Sequence, residues 1–363
     1  MEKVYDVIII GGGLSGLSVA HFLAKTDPEA EILILEKETR AGGVIQTYQH
    51  EGFQAEWGPH GFLNNNDESQ ELLQDTKLVN EAQMAPLGDF HRFICLKKKL
   101  RPLPQNPKML LSTPLLSAGA KVRLIGELWK RPKLEDQTIA KWAAYRFGKG
   151  VLPLVDVAVT GTFAGDYEKL SIDAVMPGVR KIEIEHGSVL KGLKKKKHLE
   201  GQEKKMPSMI NFAQGMQRLV EVLAENRHII YRTSVRKIET ALDSFDVKVD
   251  GGSYKTRRLV MALPVNQSLQ LLSHLSPPPV SSIPSAKIIN VVMGFDTSAS
   301  VPRGFGYLAP EREKRFALGA MFTSHMFPGR SPEGNFLMEA LVGGRRHPER
   351  LELSDEEIIH NVY

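Results

Sequence analysis

The chain opens on an apolar run, Val4–Ile10, in which valine and isoleucine crowd together with Asp6 as the one charged interruption. A run without alternation predicts a parallel strand buried on both faces. Over residues 14–25 the period changes. Leu17, Ala20 and the Leu23-Ala24 pair recur on one face, which predicts a helix. Residues 32–35 are apolar again, so the N-terminus predicts a strand–helix–strand unit. From Pro86 onward Leu- and Lys-rich segments take over, punctuated by Pro102, Pro104, Pro107, Pro114 and Pro132. Residues 86–205 are therefore expected to form an inserted, mostly helical domain.

Strand patterning returns at Ile210. Residues 215–226 predict a helix, and 228–231, 235–240, 245–249 and 259–263 predict short strands. Beyond Pro277-Pro278-Pro279, longer stretches at 288–295, 316–322 and 336–342 predict an antiparallel sheet. Ser354-Asp355-Glu356-Glu357 starts a capped helix. No internal repeat is visible. The class is α/β and α+β. A Rossmann-like domain is drawn from residues 1–85 and 206–265, the helical insert is 86–205, and an antiparallel-sheet domain covers 266–363.

Composition changes this picture little. Of 363 residues, 42% are hydrophobic and 25% charged, an ordinary globular balance. A net charge of +5 favours an anionic partner, whether nucleic acid, lipid or a polycarboxylate. Cys95 is the sole cysteine, which excludes an intramolecular disulfide, a CxxC pair and cysteine-rich metal sites. No His/Cys cluster suggests a metal. No basic and apolar leader precedes the first strand and no spanning run occurs, so a cytoplasmic or peripheral location on the cytoplasmic membrane face is expected.

The chemistry sits at the first turn. Gly11-Gly12-Gly13-Leu14-Ser15-Gly16 is G-x-G-x-x-G between strand and helix. Gly11 makes the tight turn, Gly13 admits a pyrophosphate to the backbone, and Gly16 permits close helix packing. The helix start then offers N–H groups and a positive dipole end. Glu36 follows Gly16 by about 20 residues, the spacing of a carboxylate that holds a ribose hydroxyl, with Lys37 beside it. Arg40-Ala41-Gly42-Gly43 and Ala55-Glu56-Trp57-Gly58-Pro59-His60-Gly61 add two further glycine-rich turns. The first lets backbone pass close to a cofactor, and the second suits a flat ring where side chains would collide. Together they favour FAD over NAD, and Glu36 disfavours a 2′-phosphate.

At these motifs the chain resembles the protoporphyrinogen oxidase family, within the amine-oxidase-like flavoproteins. The resemblance continues through His91-Arg92-Phe93-Ile94, Phe163-Ala164-Gly165-Asp166 with Lys169-Leu170-Ser171-Ile172, and Gly215-Met216-Gln217-Arg218-Leu219. It includes residues 258–264, Gly304-Phe305-Gly306-Tyr307-Leu308 and Phe327-Pro328-Gly329-Arg330. The shared order of these segments is more specific than any one of them.

The resemblance implies three domains: an FAD domain, a substrate domain and a helical domain that docks on a membrane. It implies six-electron oxidation of a porphyrinogen in haem biosynthesis, protoporphyrinogen or coproporphyrinogen, with dioxygen re-oxidising FAD. It leaves room for a homodimer and gives no reason to expect nucleic acid. No protein nucleophile or metal is required. By resemblance Val235 contacts the adenine through its backbone. Arg92 binds a propionate, the alternative being a surface arginine on a strand; Phe305, Leu308 and Leu341 sandwich pyrrole rings, and Gly161 and Gly306 leave room for the macrocycle. A packed core explains the apolar members of that set as well. His60 either touches the flavin edge or lies in a solvated turn. Lys194 to Lys197 with Lys204-Lys205 read as a mobile solvated loop or as a contact with anionic lipid, and Leu110-Leu111 with Leu115-Leu116 suit a membrane surface or, equally, a buried helical core.

The chain departs from the family at Gln214, where a glycine is expected, and at Val44, where many relatives carry arginine. Family members also continue past the position of Tyr363 into a strand and a glycine-rich turn that closes over the flavin. A chain ending at Tyr363 is expected to hold FAD weakly and to turn over little. The rival readings are an amine or carotenoid oxidoreductase, disfavoured by residues 163–172, and a non-catalytic relative that binds porphyrin or FAD.

Overall fold

The computed structural model describes residues 3–86, 90–105, 107–199, 208–296 and 298–363. In chain order the strands are β1 (Val4–Ile10), β2 (Ile32–Leu35), β3 (Thr47–His50), β4 (Phe53–Glu56), β5 (Phe62–Leu63), β6 (Ala82–Pro86), β7 (Arg92–Leu96), β8 (Lys99–Pro102) and β9 (Ser208–Phe212). They continue as β10 (Ile229–Ile230), β11 (Val235–Thr240), β12 (Phe245–Val249), β13 (Gly252–Met261), β14 (Ile288–Asp296), β15 (Gly306–Leu308), β16 (Ala317–Met321) and β17 (Asn335–Gly343). The chain divides into two compact units. One gathers Met1–Ala85, Pro207–Pro284 and Phe327–Arg330, the other Pro86–Met206, Ser285–Met326 and Ser331–Tyr363.

The first unit is built on the sheet β10-β2-β1-β13-β12-β11. Because β1 is apolar at nearly every position, it takes a central place, parallel to β2 and to β13. Its side chains alternate between two cores. Val7 and Ile9 pack with Leu17 and Ala20 of the helix Leu14–Thr26 and with Leu219, Val220 and Leu223 of the helix Gln217–Ala224. Ile8 and Ile10 pack on the opposite side with Leu33, Leu35, Ile238 and Val247. Each fully buried isoleucine contributes roughly 1.5–3 kcal/mol, so an aspartate at Ile9 would break the sheet at its centre.

The second unit is built on the sheet β14-β17-β16-β15-β7-β8. β14 and β17 pair antiparallel along their whole length, Ile288 against Gly343 through Asp296 against Asn335. β15 and β7 are parallel, the exception in this otherwise antiparallel sheet. β7 and β8 fall in the stretch where the sequence suggested helix. They form a two-residue hairpin whose turn, Lys97-Lys98, holds both residues at positive φ, +50° and +61°. That turn usually calls for Asn or Gly, so lysines there leave no signal in the sequence.

The helices of residues 107–199 belong to the same compact unit as this sheet. Ile139, Trp142, Ala143, Val159, Ile172 and Val189 form their core. Charges are buried alongside. Glu183 accepts Trp142 Nε1 at 2.7 Å and Arg180 Nη1 at 2.8 Å, while Arg146 pairs with Glu127. Ser354 heads the final helix, Asp355–Val362, in a capping box with Glu357.

Candidate cofactor and substrate sites

The glycines of the first turn have different geometric roles. Gly11 has φ +106°, and a Cβ there would lie 2.6 Å from the Ala262 carbonyl oxygen. A Cβ on Gly16 would overlap the Gly11 carbonyl. These two let the helix close onto the strand. Gly13 has φ −70°, and a Cβ on it would meet nothing within 4 Å. It borders open space at the start of a helix that has no side-chain cap, so backbone N–H groups face that space. Leu14 packs against the core, and Ser15 is exposed.

The second glycine turn is docked on the first. Gly42 N donates to Gly12 O at 2.8 Å, and a Cβ on Gly43 would touch Gly13 Cα at 3.4 Å. Arg40 holds this turn in shape by donating to the carbonyls of Ala41, Ile45 and Gly43 at 3.0, 2.9 and 2.9 Å. The sequence suggested a charge near the cofactor; the geometry shows Arg40 as a brace of the turn. Val44 is exposed, and a Cβ on Gly58 would overlap its carbonyl oxygen, so the third turn is docked on the second.

Glu36 is buried beneath Gly12. Its Oε2 accepts Gly12 N at 2.7 Å and its Oε1 accepts Glu38 N at 2.8 Å. Lys37 is exposed and pairs with Glu38 at 3.2 Å. Arg232 N donates to Glu38 O and Thr233 N to Glu36 O, which draws the start of β11 and half-buried Val235 toward the same carboxylate.

The Trp57–Gly61 turn is exposed at Trp57 and Pro59 and half-buried at His60. It is fastened from within by a buried polar cluster that sequence reasoning did not single out: Glu56, Asn211 and Arg330. Glu56 lies at the head of the Trp57–Gly61 turn and Arg330 ends the Phe327-Pro328-Gly329-Arg330 segment. Asn211 carried no local signal, because its partners lie some 150 residues away along the chain.

In the second unit, register places the proposed substrate residues together. Arg92 is opposite Gly306, Ile94 opposite Leu308, Leu308 opposite Gly319, and Gly319 opposite Leu341. Because side chains alternate with a period of two, Arg92, Gly306, Leu308 and Leu341 share one face of the sheet. Gly161, on the helix Leu152–Phe163, abuts Leu308: a Cβ there would come 2.5 Å from Leu308 Cδ1. The Arg92 guanidinium lies over the Phe305 ring, 5.3 Å from its centroid. Its N–H groups meet no carboxylate or carbonyl among the described residues, and burial lowers its pKa from the ordinary arginine value.

The donor set can be tested against the cofactor the sequence implied. Open space at Gly13, uncapped helix N–H groups, two docked glycine turns and a buried carboxylate fit a dinucleotide with a pyrophosphate. Residues 14–363 match the flavin-containing amine oxidoreductases. The chain belongs to that family. It is an FAD-dependent oxidoreductase.

The relatives narrow the comparison. The chain is 28% identical over 385 residues to coproporphyrinogen III oxidase of Bacillus subtilis (strain 168), covering 98% of this chain and 81% of that protein. It is 27% identical over 394 residues to chloroplastic protoporphyrinogen oxidase 1 of Arabidopsis thaliana, covering 98% and 73%. A crystal structure from Exiguobacterium sp. 255-15 superimposes with a TM-score of 0.84 at 21% identity, covering 100% of this chain and 82% of that one. These relatives place the chain beside porphyrinogen oxidases, as the motifs suggested. No described helix is long and apolar enough to cross a membrane.

Proposed function

We propose that this protein oxidises protoporphyrinogen IX to protoporphyrin IX with dioxygen as acceptor, or coproporphyrinogen by the same chemistry. The pyrophosphate would sit at Gly11, Gly12, Gly13 and the helix N-terminus from Leu14 to Gly16. The ribose would lie at Glu36 and the adenine at the Val235 backbone, with Gly42, Gly43, Gly58 and Gly61 lining the remainder. Bound FAD supplies a two-electron acceptor, so three rounds remove the six electrons that separate porphyrinogen from porphyrin.

The chain's own residues bind and orient the substrate. The Arg92 guanidinium lies over the Phe305 ring, 5.3 Å from its centroid, and its N–H fork would bind a propionate carboxylate. Leu308 and Leu341 offer an apolar surface to the pyrroles. Gly161 lets the helix Leu152–Phe163 close onto Leu308, and Gly306, with φ +144°, stands where a Cβ would run into the Ala320 carbonyl, so both glycines let these elements pack closely beside the site. The observation that carries this reading is the half-buried Arg92 on that sheet face, with no carboxylate partner among the described residues, in a chain similar over nearly its whole length to coproporphyrinogen III and protoporphyrinogen oxidases.

The test is turnover. FAD-loaded protein is mixed with protoporphyrinogen IX or coproporphyrinogen III, each freshly made by chemical reduction of the porphyrin, and porphyrin fluorescence and oxygen uptake are followed. The faster of the two substrates names the reaction. A flavin-loaded chain that oxidises neither, yet oxidises simple amines, refutes the proposal.

Contact with a membrane surface belongs to the same proposal, at a different place from the leucines that suggested it. Leu116 is core, packed with Leu124 and Val151; the Leu111 side chain and Lys204-Lys205 lie outside the described residues. In residues 117–134 Val122, Ile125, Trp129 and Leu134 are exposed, the first three spaced as one helical face and interleaved with Lys121, Lys130 and Arg131. Glu127, the acid within residues 117–134, points inward. It accepts Ser188 Oγ at 2.5 Å and Val189 N at 2.8 Å, bringing the helix Val189–Leu199 with exposed Lys191, Lys194, Lys195 and Lys196 to the same segment. Apolar side chains ringed by cations suit an anionic lipid surface.

A further inference from the structure

We infer that Asn211 is a positioning residue for the turn that faces the flavin, an inference that rests on the cofactor placement proposed above. Glu56 ends β4 immediately before that turn and is buried. Its Oε2 accepts the Thr47 hydroxyl at 2.8 Å. Its Oε1 accepts Asn211 Nδ2 at 2.9 Å and Met216 N at 3.0 Å, with Arg330 Nη1 at 3.7 Å. Arg330 Nη2 donates in turn to Phe212 O at 3.1 Å. Strands β3, β4 and β9, the start of the helix Gln217–Ala224 and the Phe327–Arg330 segment therefore meet at one carboxylate.

Asn211 connects this cluster to the turn. One N–H of its amide goes to Glu56. The same nitrogen donates to the His60 carbonyl at 2.8 Å, and its Oδ1 accepts Phe212 N at 2.6 Å. A flipped amide would set its oxygen against a carboxylate and a carbonyl, so the surroundings fix its orientation. β9 also abuts the turn, since a Cβ on Gly61 would lie 2.5 Å from Ile210 O. The outer side of the turn is open at Trp57 and Pro59, so the peptide between His60 and Gly61 is aimed from the inside. That peptide is backbone a flat ring could approach closely. The Gly11–Gly16 turn and Glu36, which would hold the other end of the cofactor, take no part in the cluster.

The two ends can therefore be separated by experiment. Asn211→Asp removes both donors at nearly constant shape and sets a second carboxylate against Glu56. Asn211→Leu removes the donors without adding charge. In protein reconstituted with FAD, both variants are expected to keep the cofactor through the pyrophosphate end, with Kd raised about tenfold. Their flavin visible absorption and circular dichroism bands should shift, a signature that mere loss of stability does not produce. Glu56→Gln combined with Asn211→Asp restores a donor–acceptor pair but leaves His60 O facing an oxygen. Thermal stability should recover while the flavin bands stay shifted. Should a single variant fail to fold, Asn211→Ala, which removes the donors without adding bulk or charge and leaves Glu56 beside Arg330, is read in the same way. Wild-type flavin bands and Kd in a folded variant overturn the inference. A Gly13→Asp protein that binds FAD as tightly as wild type overturns instead the cofactor placement beneath it.

Discussion

Gly13 offers the sharpest separation of folding from binding, because the three motif glycines should respond to a methyl group in opposite ways. At Gly13 the backbone is at φ −70°, ordinary for any residue, and a Cβ meets nothing within 4 Å. Gly13→Ala should fold normally. Reduced freedom of the unfolded chain gains about 0.4–1 kcal/mol, while alanine in place of glycine as N-cap loses a similar amount. The two nearly cancel. Gly11→Ala and Gly16→Ala lack that latitude. The first forces an L-residue to φ +106° and sets its Cβ 2.6 Å from Ala262 O, and the second overlaps the Gly11 carbonyl. Strain and overpacking of this kind cost roughly 1–3 kcal/mol each, and both apply at Gly11.

Binding reverses the ranking. In the proposed complex the open space beside Gly13 is where a pyrophosphate lies, so a methyl there costs roughly 1–3 kcal/mol, about 5- to 150-fold in Kd. Gly13→Asp adds like-charge repulsion. Two unit charges about 4 Å apart at an effective dielectric of about 20 repel by about 4 kcal/mol, a further factor of about a thousand. Thermal unfolding without FAD, followed by titration with FAD monitored through flavin fluorescence, measures both quantities on one preparation. A Gly13→Ala protein that melts well below wild type refutes the open-space geometry. A Gly13→Asp protein that binds FAD like wild type refutes the placement of the pyrophosphate.

Three other outcomes are expected. Arg92→Ala should raise KM for the porphyrinogen by roughly 10- to 150-fold, the loss of a charge-assisted contact worth about 1.5–3 kcal/mol, with flavin content unchanged; an unchanged KM assigns Arg92 to packing on Phe305 alone. Val122→Ser with Trp129→Ser should weaken co-sedimentation with phosphatidylglycerol vesicles and leave turnover in detergent intact, and equal binding of variant and wild type removes that face from the lipid contact. His325 packs its ring 4.8 Å from Phe336, and burial lowers its pKa below 6.5. The unfolded chain therefore takes up the proton first, and stability falls as pH drops through 6.5 toward the lowered value. His325→Phe should flatten that part of the stability–pH curve; an unaltered slope means that His325 does not cause it.

The sequence by itself determined the elements whose signal is local. β1, β2, β11 and β12 are legible because an apolar run or an alternation is a property of neighbouring residues, and Ser354 with Glu357 announces its helix for the same reason. G-x-G-x-x-G and buried Glu36 are legible because a tight strand-to-helix turn and a carboxylate at the end of the next strand recur at fixed spacing. Tertiary structure decided what depends on residues far apart in the chain. β7 and β8 were missed because two lysines at positive φ hold their turn in place of Asn-Gly. Leu116 became core and Trp129 surface because the packing of helices, not hydrophobicity alone, sets which side chains water reaches. That Arg92, Leu308 and Leu341 share one face follows from sheet register, which one shifted residue would reverse. Asn211 joins Glu56 to the His60 carbonyl only after three distant segments have met, and a hydrogen bond across some 150 residues leaves no periodicity to read.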